Sequence, residues 1–230
     1  MNKLTWDGML EILDSVDINN EEYNSLLHSI SDKSTVISEL PILLNNVTSI
    51  CDYAFYYCRN LALTSLPSGI TSIGRYAFHS CTNLALTELP NSLTSIGFAA
   101  FDGCTNLALT SLPSGLTSIG NHAFSDCTNL ALTSLPDGLT SSIGDHAFYY
   151  CRNLALTSLP SGITSIGRYA FYGCTNLKSI TFKGTPNSIA SNAFSVCTNL
   201  KTINVPWTQG AVAGAPWGAT NATINYNYKD

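Results

Sequence analysis

Apolar positions in this chain recur at one long, fixed period. The dipeptide Ala-Phe begins at residues 54, 77, 100, 123, 147, 170 and 193, in steps of 23, 23, 23, 24, 23 and 23. A Cys stands three positions after each Phe, from Cys58 to Cys197, and an Asn-Leu pair follows two positions after each Cys. An Ile precedes each Ala-Phe, from Ile50 to Ile189. Seven units in phase predict a solenoid, in which each unit is one coil that buries its apolar face only against its neighbours. The single 24-residue step carries one extra residue at Ser141-Ser142, predicted to bulge because the phase resumes at Ile143-Gly144.

One unit predicts its own elements. In Leu61-Ala62-Leu63-Thr64-Ser65-Leu66-Pro67, alternating Leu suits a strand against a core, and Pro67 stops it. Ser68-Gly69 turns the chain. Ile70 to Gly74 reads as a second short extended run, and Ala77-Phe78 with Cys81 suits one inward-facing helical turn. At about 4.8 Å per stacked strand, seven units predict a rod on the order of 34 Å long. In the last two units, Leu177 to Phe182 and Leu200 to Val205, the Leu spacing changes, a shift whose backbone consequence the pattern leaves open. Both ends are expected to be caps. Trp6, Met9, Leu10, Leu13 and Val16, then Tyr23, Leu26, Leu27 and Ile30, fall at helical spacing. After Pro206 the repeat ends, and Ala222 to Tyr228 alternates as a final edge strand. The expected organisation is an N-terminal helical cap over 1–35, seven repeats over 36–206 and a C-terminal cap over 207–230.

Composition narrows the class. Ser, Thr and Asn number 27, 24 and 21, while charged residues are only 11% of the chain. The surface is therefore polar but nearly uncharged. Ten Lys and Arg against fifteen Asp and Glu argue against a nucleic-acid partner. A hydrophobic content of 45% argues against disorder. No apolar run approaches the roughly 20 residues of a membrane helix, so no membrane insertion is expected. Asp7, Glu11 and Asp14 interrupt what would be the core of an export signal, so none is expected in this sequence.

The repeat LPSGITSIGRYAFHSCTNL, Leu66 to Leu84, resembles the BspA-like leucine-rich repeats, also called the Treponema-type class, whose unit reads L-P-x-x-[IVL]-T-x-I-G-x-x-A-F-x-x-C-x-x-L. Near-copies run from about residue 40 to 206. The resemblance implies a leucine-rich-repeat solenoid wound as a right-handed superhelix, mainly short parallel β-strands, here read with short helical turns. It also implies a surface protein that binds host matrix proteins or other bacteria. The export signal and wall anchor that the resemblance implies are not expected within this sequence.

Seven Cys form one column, and stacked side chains facing a core suit buried thiols rather than disulfides. Cys51 lies outside the column, where other units carry Gly. No C-x-x-C pair supports a zinc site. His122 and His146 share a slot in adjacent units and are expected to stack, but that slot also holds Tyr, Ala and Asn, so no metal is assigned. Asp102, Asp126, Asp137 and Asp145 are scattered and no phosphate loop is present, so neither catalysis nor a cofactor is expected.

Variation between units is more informative. The two slots before Ala-Phe, the two after it, and the slot after Cys change from unit to unit, while the Leu-Thr-Ser-Leu-Pro stretch is nearly constant. Those slots hold Tyr56, Tyr57, Arg59, Arg75, Tyr76, His79, His122, His146, Tyr149, Tyr150, Arg152, Arg168, Tyr169 and Tyr172. Tyr and Arg dominate binding hot spots. The edge at the Ala-Phe turn is therefore the expected recognition surface, with drift of exposed slots as the competing explanation. The Thr and Ser columns are a second candidate, suited to repetitive contacts with glycans or fibres. The leading expectation is a non-catalytic, adhesin-like module for a protein or glycan. A structural or assembly piece is the alternative, and an enzyme a distant third.

Overall fold

The structure, a computed structural model, describes residues 48–229. The expected N-terminal helical cap lies outside the described residues. Within them the chain winds as a solenoid of short parallel strands. One face carries β1 (Ser49–Ile50), β2 (Ser72–Ile73), β3 (Ser95–Ile96) and β4 (Ser118–Ile119), hydrogen-bonded in that order. A second face carries β5 (Ser158–Leu159), β7 (Ser179–Phe182), β9 (Thr202–Asn204) and β10 (Thr223–Asn225). On the first face β6 (Ser165–Ile166) pairs with β8 (Ser188–Ile189). The extra residue at Ser141-Ser142 interrupts this face. There Ile143 makes only single bridges, to Ile119 and Ile166, and pairing resumes at β6.

The repeat's apolar columns are its core. The Phe column stacks from Phe55 to Phe194 with ring centroids 5.0 to 5.6 Å apart and planes within 8°. Ile, Leu, Ala and Cys columns are buried beside it. Burying one such side chain contributes roughly 1.5–3 kcal/mol, and in a coil this small nearly all of that burial is against neighbouring coils.

Two expected elements are corrected. The Ala-Phe segment is not a helical turn; no helix occurs among the described residues. Around Phe55, the N–H groups of Tyr56 and Cys58 donate three residues back, to Tyr53 O (3.1 Å) and Phe55 O (3.0 Å). The alternate N–H groups, of Tyr53, Phe55 and Tyr57, leave the segment and donate to Arg75, Ala77 and His79 of the next coil at 2.7 to 2.8 Å. A helix keeps every amide on its own axis; here every second amide bonds along the solenoid. Left-handed residues, Tyr53 (φ 60°) and Tyr57 (φ 59°), break the helical path, and the pattern repeats in later coils.

The second correction concerns Leu61–Leu66, which is not a strand. Leu61, Leu63 and Leu66 are all buried, but two residues separate the last pair, so alternation fails; in the identical Leu154–Leu159 stretch only Ser158–Leu159 is strand, where β7 pairs with it. In the last units Ile180 and Phe182 are both buried with Thr181 between them, which restores period two and yields the four-residue β7. The register itself does not slip: Ser158 pairs with Thr181, one repeat on. Past Pro206, Trp217 is fully buried and its carbonyl accepts Phe194 N–H at 2.9 Å, as Ala193 does for Phe171 at 2.8 Å. Trp217 thus supplies the next coil's acceptor, and β10 extends the second face.

Candidate functional site

The hydrogen-bonded turns hold their variable side chains in register. All fourteen residues singled out from the sequence lie along this one edge. Their rings form a row in which each lies against the next. Tyr53 stacks on Tyr76 at 5.0 Å, and Tyr56 on His79 at 5.0 Å. Tyr76 meets Phe98 edge-on at 5.1 Å, and Phe98 meets His122 at 5.5 Å. His122 stacks on His146 at 4.5 Å with planes 6° apart, as expected from their shared slot. His146 contacts Tyr169 at 5.2 Å, and Tyr149 stacks on Tyr172 at 5.0 Å. Tyr57 and Tyr150 stand edge-on to Tyr56 and Tyr149 at 4.5 and 4.6 Å. Tyr53 and Phe98, which occupy the same variable slots, complete the row although neither was among the fourteen. Tyr53 carried both signals, slot and residue class, and Phe98 that of its slot alone.

Arginines lie on several rings. Arg59 stands over Tyr57 at 5.5 Å, Arg152 over Tyr150 at 5.3 Å and Arg75 over Phe98 at 5.6 Å. Acidic and amide side chains brace neighbouring coils: Asp52 Oδ1 accepts Arg75 N–H at 2.6 Å, Asn121 Oδ1 accepts Asp145 N–H at 3.0 Å, and Asp145 Oδ1 accepts Arg168 N–H at 2.7 Å. His79 Nδ1 sits 3.2 Å from Asp102 Oδ2.

The titration of the edge follows from crowding. Burial, then the neighbouring Tyr57, raises the Tyr56 pKa; burial, then Tyr150, does the same for Tyr149. For Tyr172 the hydrogen bond with Tyr150 is the main cause of a raised pKa. The phenols therefore remain neutral donors through the physiological range. Burial, followed by repulsion from His122, lowers the His146 pKa, so the stacked pair resists carrying two charges. Burial, then Asp102, pushes the Asp126 carboxyl up.

The other candidates are placed differently. No disulfide joins the cysteines, and the column is buried. From Cys81 onward each column thiol donates to the Phe carbonyl of the preceding coil, as Cys127 does to Phe101 O at 3.0 Å. Burial raises these thiol pKa values, for Cys197 to about 12. They are structural donors, not nucleophiles. Among the described residues no group of three or more His, Cys, Asp or Glu is arranged to hold a metal. On the first strand face, Thr71, Thr94 and Thr117 donate their hydroxyls to Thr carbonyls of the preceding coil at 2.9 to 3.3 Å. That column's donors are thus already used. The Ser49, Ser72, Ser95 and Ser118 column lines a shallow groove of about 570 Å³.

The family described as BspA type leucine rich repeat region matches residues 33–141 and 141–211, in six copies. Among solved structures, the T. pallidum leucine-rich repeat protein is 27% identical, with 77% of this chain and 72% of that one covered and a TM-score of 0.47. A leucine rich cell surface protein from Faecalibacterium prausnitzii is 24% identical, covering 69% and 59%, with a TM-score of 0.46. The pneumococcal vaccine antigen PcpA is 19% identical, covering 80% and 60%, with a TM-score of 0.43. The chain thus spans under two thirds of the latter two. No curated protein matches it. Among the described residues no helix is long and apolar enough to cross a membrane. With its repeat matched over most of its length, and its coils built from that repeat, the chain belongs to the BspA-type leucine-rich repeat family.

Proposed function

We propose that this chain is a non-catalytic recognition module, adhesin-like, that binds a protein or glycan at a cell surface through the Ala-Phe turn edge. The observation that carries the reading is the continuous row of Tyr, His, Phe and Arg side chains on the one edge that varies between coils. Core columns are constant because every coil must pack on the next. The edge is under no such constraint, yet it concentrates the residue types that supply rigid contact area and oriented donors. The turns that carry them are hydrogen-bonded coil to coil, so the surface is pre-organised and little ordering cost is incurred on binding. The family is one of repeat proteins that generally bind rather than catalyse.

The test is capture of the purified chain on arrays of matrix proteins and glycans, followed by Tyr149→Ser with Tyr150→Ser. Loss of at least tenfold in affinity is expected, each hot-spot side chain contributing about 2 kcal/mol. Unchanged binding by this variant, with an unchanged melting temperature, refutes the edge as the recognition surface.

A further inference from the structure

The turn edge is not uniform. Asp52–Phe78 and Asp145–Phe171 are identical except at Tyr53 and His146. The three intervening units carry neither the Tyr-Tyr-Cys-Arg nor the Gly-Arg-Tyr-Ala-Phe run. All four arginines of the chain, Arg59, Arg75, Arg152 and Arg168, belong to these two segments. The slot after Cys that holds Arg59 and Arg152 is Thr82, Thr105 and Thr128 between them.

The two segments place the same chemistry on the surface. In each, an arginine lies over the second Tyr of the pair, at 5.5 Å in the first and 5.3 Å in the second. In each, a second arginine is exposed one coil on, its backbone N–H held by Asp52 or Asp145. Among the described residues no carboxylate lies within salt-bridge distance of the four guanidinium groups; the pairs at that distance are Lys183 with Asp137 and the His79 imidazole with Asp102. A guanidinium laid on an aromatic face is pre-oriented, and its fork of N–H donors suits carboxylate or sulfate. The stacked rings cover one another's faces, leaving phenol edges as further donors. Of the neighbouring acids, Asp52 and Asp145 already accept the Arg75 and Arg168 backbone N–H groups, Asp102 lies 3.2 Å from His79, and Asp126 lies near enough to Arg152 to feel its charge.

We infer that the chain carries two copies of one anion-recognition site, four coils apart, whose ligand is a linear acidic polysaccharide. This rests on the turn edge being the recognition surface. The four Phe-to-Phe steps between the copies are 5.1, 5.3, 5.5 and 5.6 Å. The copies therefore stand about 20 Å apart, as four coils of roughly 5 Å require. Parallel stacking of coils places them one after the other along the solenoid, with the same polarity. A ligand that engages both must present the same anionic feature twice, at matching spacing and in one direction. A polymer of repeating acidic sugars does so anywhere along its length. A folded protein without an internal repeat presents no such feature twice and engages the two copies unequally.

The experiment measures binding of polymeric hyaluronan, hyaluronan oligosaccharides shorter than the site separation, neutral dextran and poly-L-glutamate. The proteins are the full chain, R59Q/R75Q, R152Q/R168Q and the fourfold variant, each checked by thermal melting. Expected is a loss of about 10²-fold in polymer affinity for either double variant, from lost bivalency. Short oligosaccharides should bind both double variants as tightly as the full chain but at half the stoichiometry. The fourfold variant should bind neither. No binding of hyaluronan by the full chain overturns the proposal, as does binding of poly-L-glutamate in its place, which leaves the edge as the recognition surface. Equal affinity of polymer and oligosaccharide for the full chain overturns the two-site arrangement alone. Full polymer binding by the fourfold variant overturns the inference alone, since the edge itself is tested by Tyr149→Ser with Tyr150→Ser.

Discussion

Substituting Gly97 by Ala probes how closely two coils approach. A Cβ at Gly97 would lie 2.8 Å from Gly74 C, 2.9 Å from Arg75 N and 3.0 Å from Gly74 O. These are backbone atoms and cannot swing aside. Non-bonded carbon contacts are comfortable at about 3.5–4.0 Å, so the coils must part by roughly half an ångström or more. That strains the 2.9 Å bond from Gly97 N–H to Ile73 O and the β2–β3 pair beside it. Overpacking of this kind costs about 1–3 kcal/mol and a weakened hydrogen bond about 1 more, for a total of about 2–4 kcal/mol. Gly115→Ala is the internal control. Its Cβ meets nothing nearer than Leu93 O at 3.8 Å, so its effect should be within about 1 kcal/mol, on the stabilising side. Urea unfolding followed by near-ultraviolet circular dichroism measures both, and hydrogen exchange at the residue 97 amide localises the change. Gly97→Ala within 0.5 kcal/mol of Gly115→Ala, on the order of the error in such comparisons, refutes close approach as the reason for this glycine. The consequence reaches the turn edge, because the same coil spacing sets the 5.1 Å contact of Tyr76 with Phe98.

Two further predictions concern titration. Burial raises the pKa of the column thiols from Cys81 to Cys197, so the folded state holds protons that the unfolded chain releases; the stability this represents is intact below the unfolded thiol pKa and lost as pH rises above it. Unfolding free energy should fall from about pH 8.5 upward, by up to about 1.4 kcal/mol per thiol per pH unit; a flat profile to pH 10 in urea titrations, on the scale of these reference values, rejects the buried-thiol account. His146 should titrate below the usual 6.5 in proton-detected spectra, because burial and His122 both disfavour its charge. Its contribution to stability is complete above that value and lost as pH falls below it, and His122→Ala should move the His146 pKa upward. No upward movement contradicts repulsion within the stacked pair.

Much was legible in the sequence because a repeat multiplies weak signals. One Ala-Phe says nothing, but seven in phase identify the coil length, the core columns and the slots left free to vary. The buried Cys column and the His122–His146 stack follow from the same arithmetic. Local propensity misled where the chain bonds to its neighbours rather than to itself. Ala-Phe with Cys at helical spacing reads as a helical turn, yet Tyr53, Phe55 and Tyr57 donate to the next coil and left-handed residues break the helix. Leu61 to Leu66 reads as a strand, yet with its uneven Leu spacing it forms none; the equivalent stretch yields only the two-residue β5, beside β7, where Ile180 and Phe182 restore alternation.

The sequence alone therefore determined which residues are buried and which may differ, since burial in a solenoid follows directly from the period. Only the tertiary structure decided what the free slots amount to. Ring-to-ring contacts join residues one coil apart, such as Tyr53 with Tyr76 and Phe98 with His122, and their existence depends on coil spacing and turn geometry. Those in turn depend on hydrogen bonds between coils and on glycines that let backbones approach. These interactions span a whole repeat, so no local window of sequence contains them.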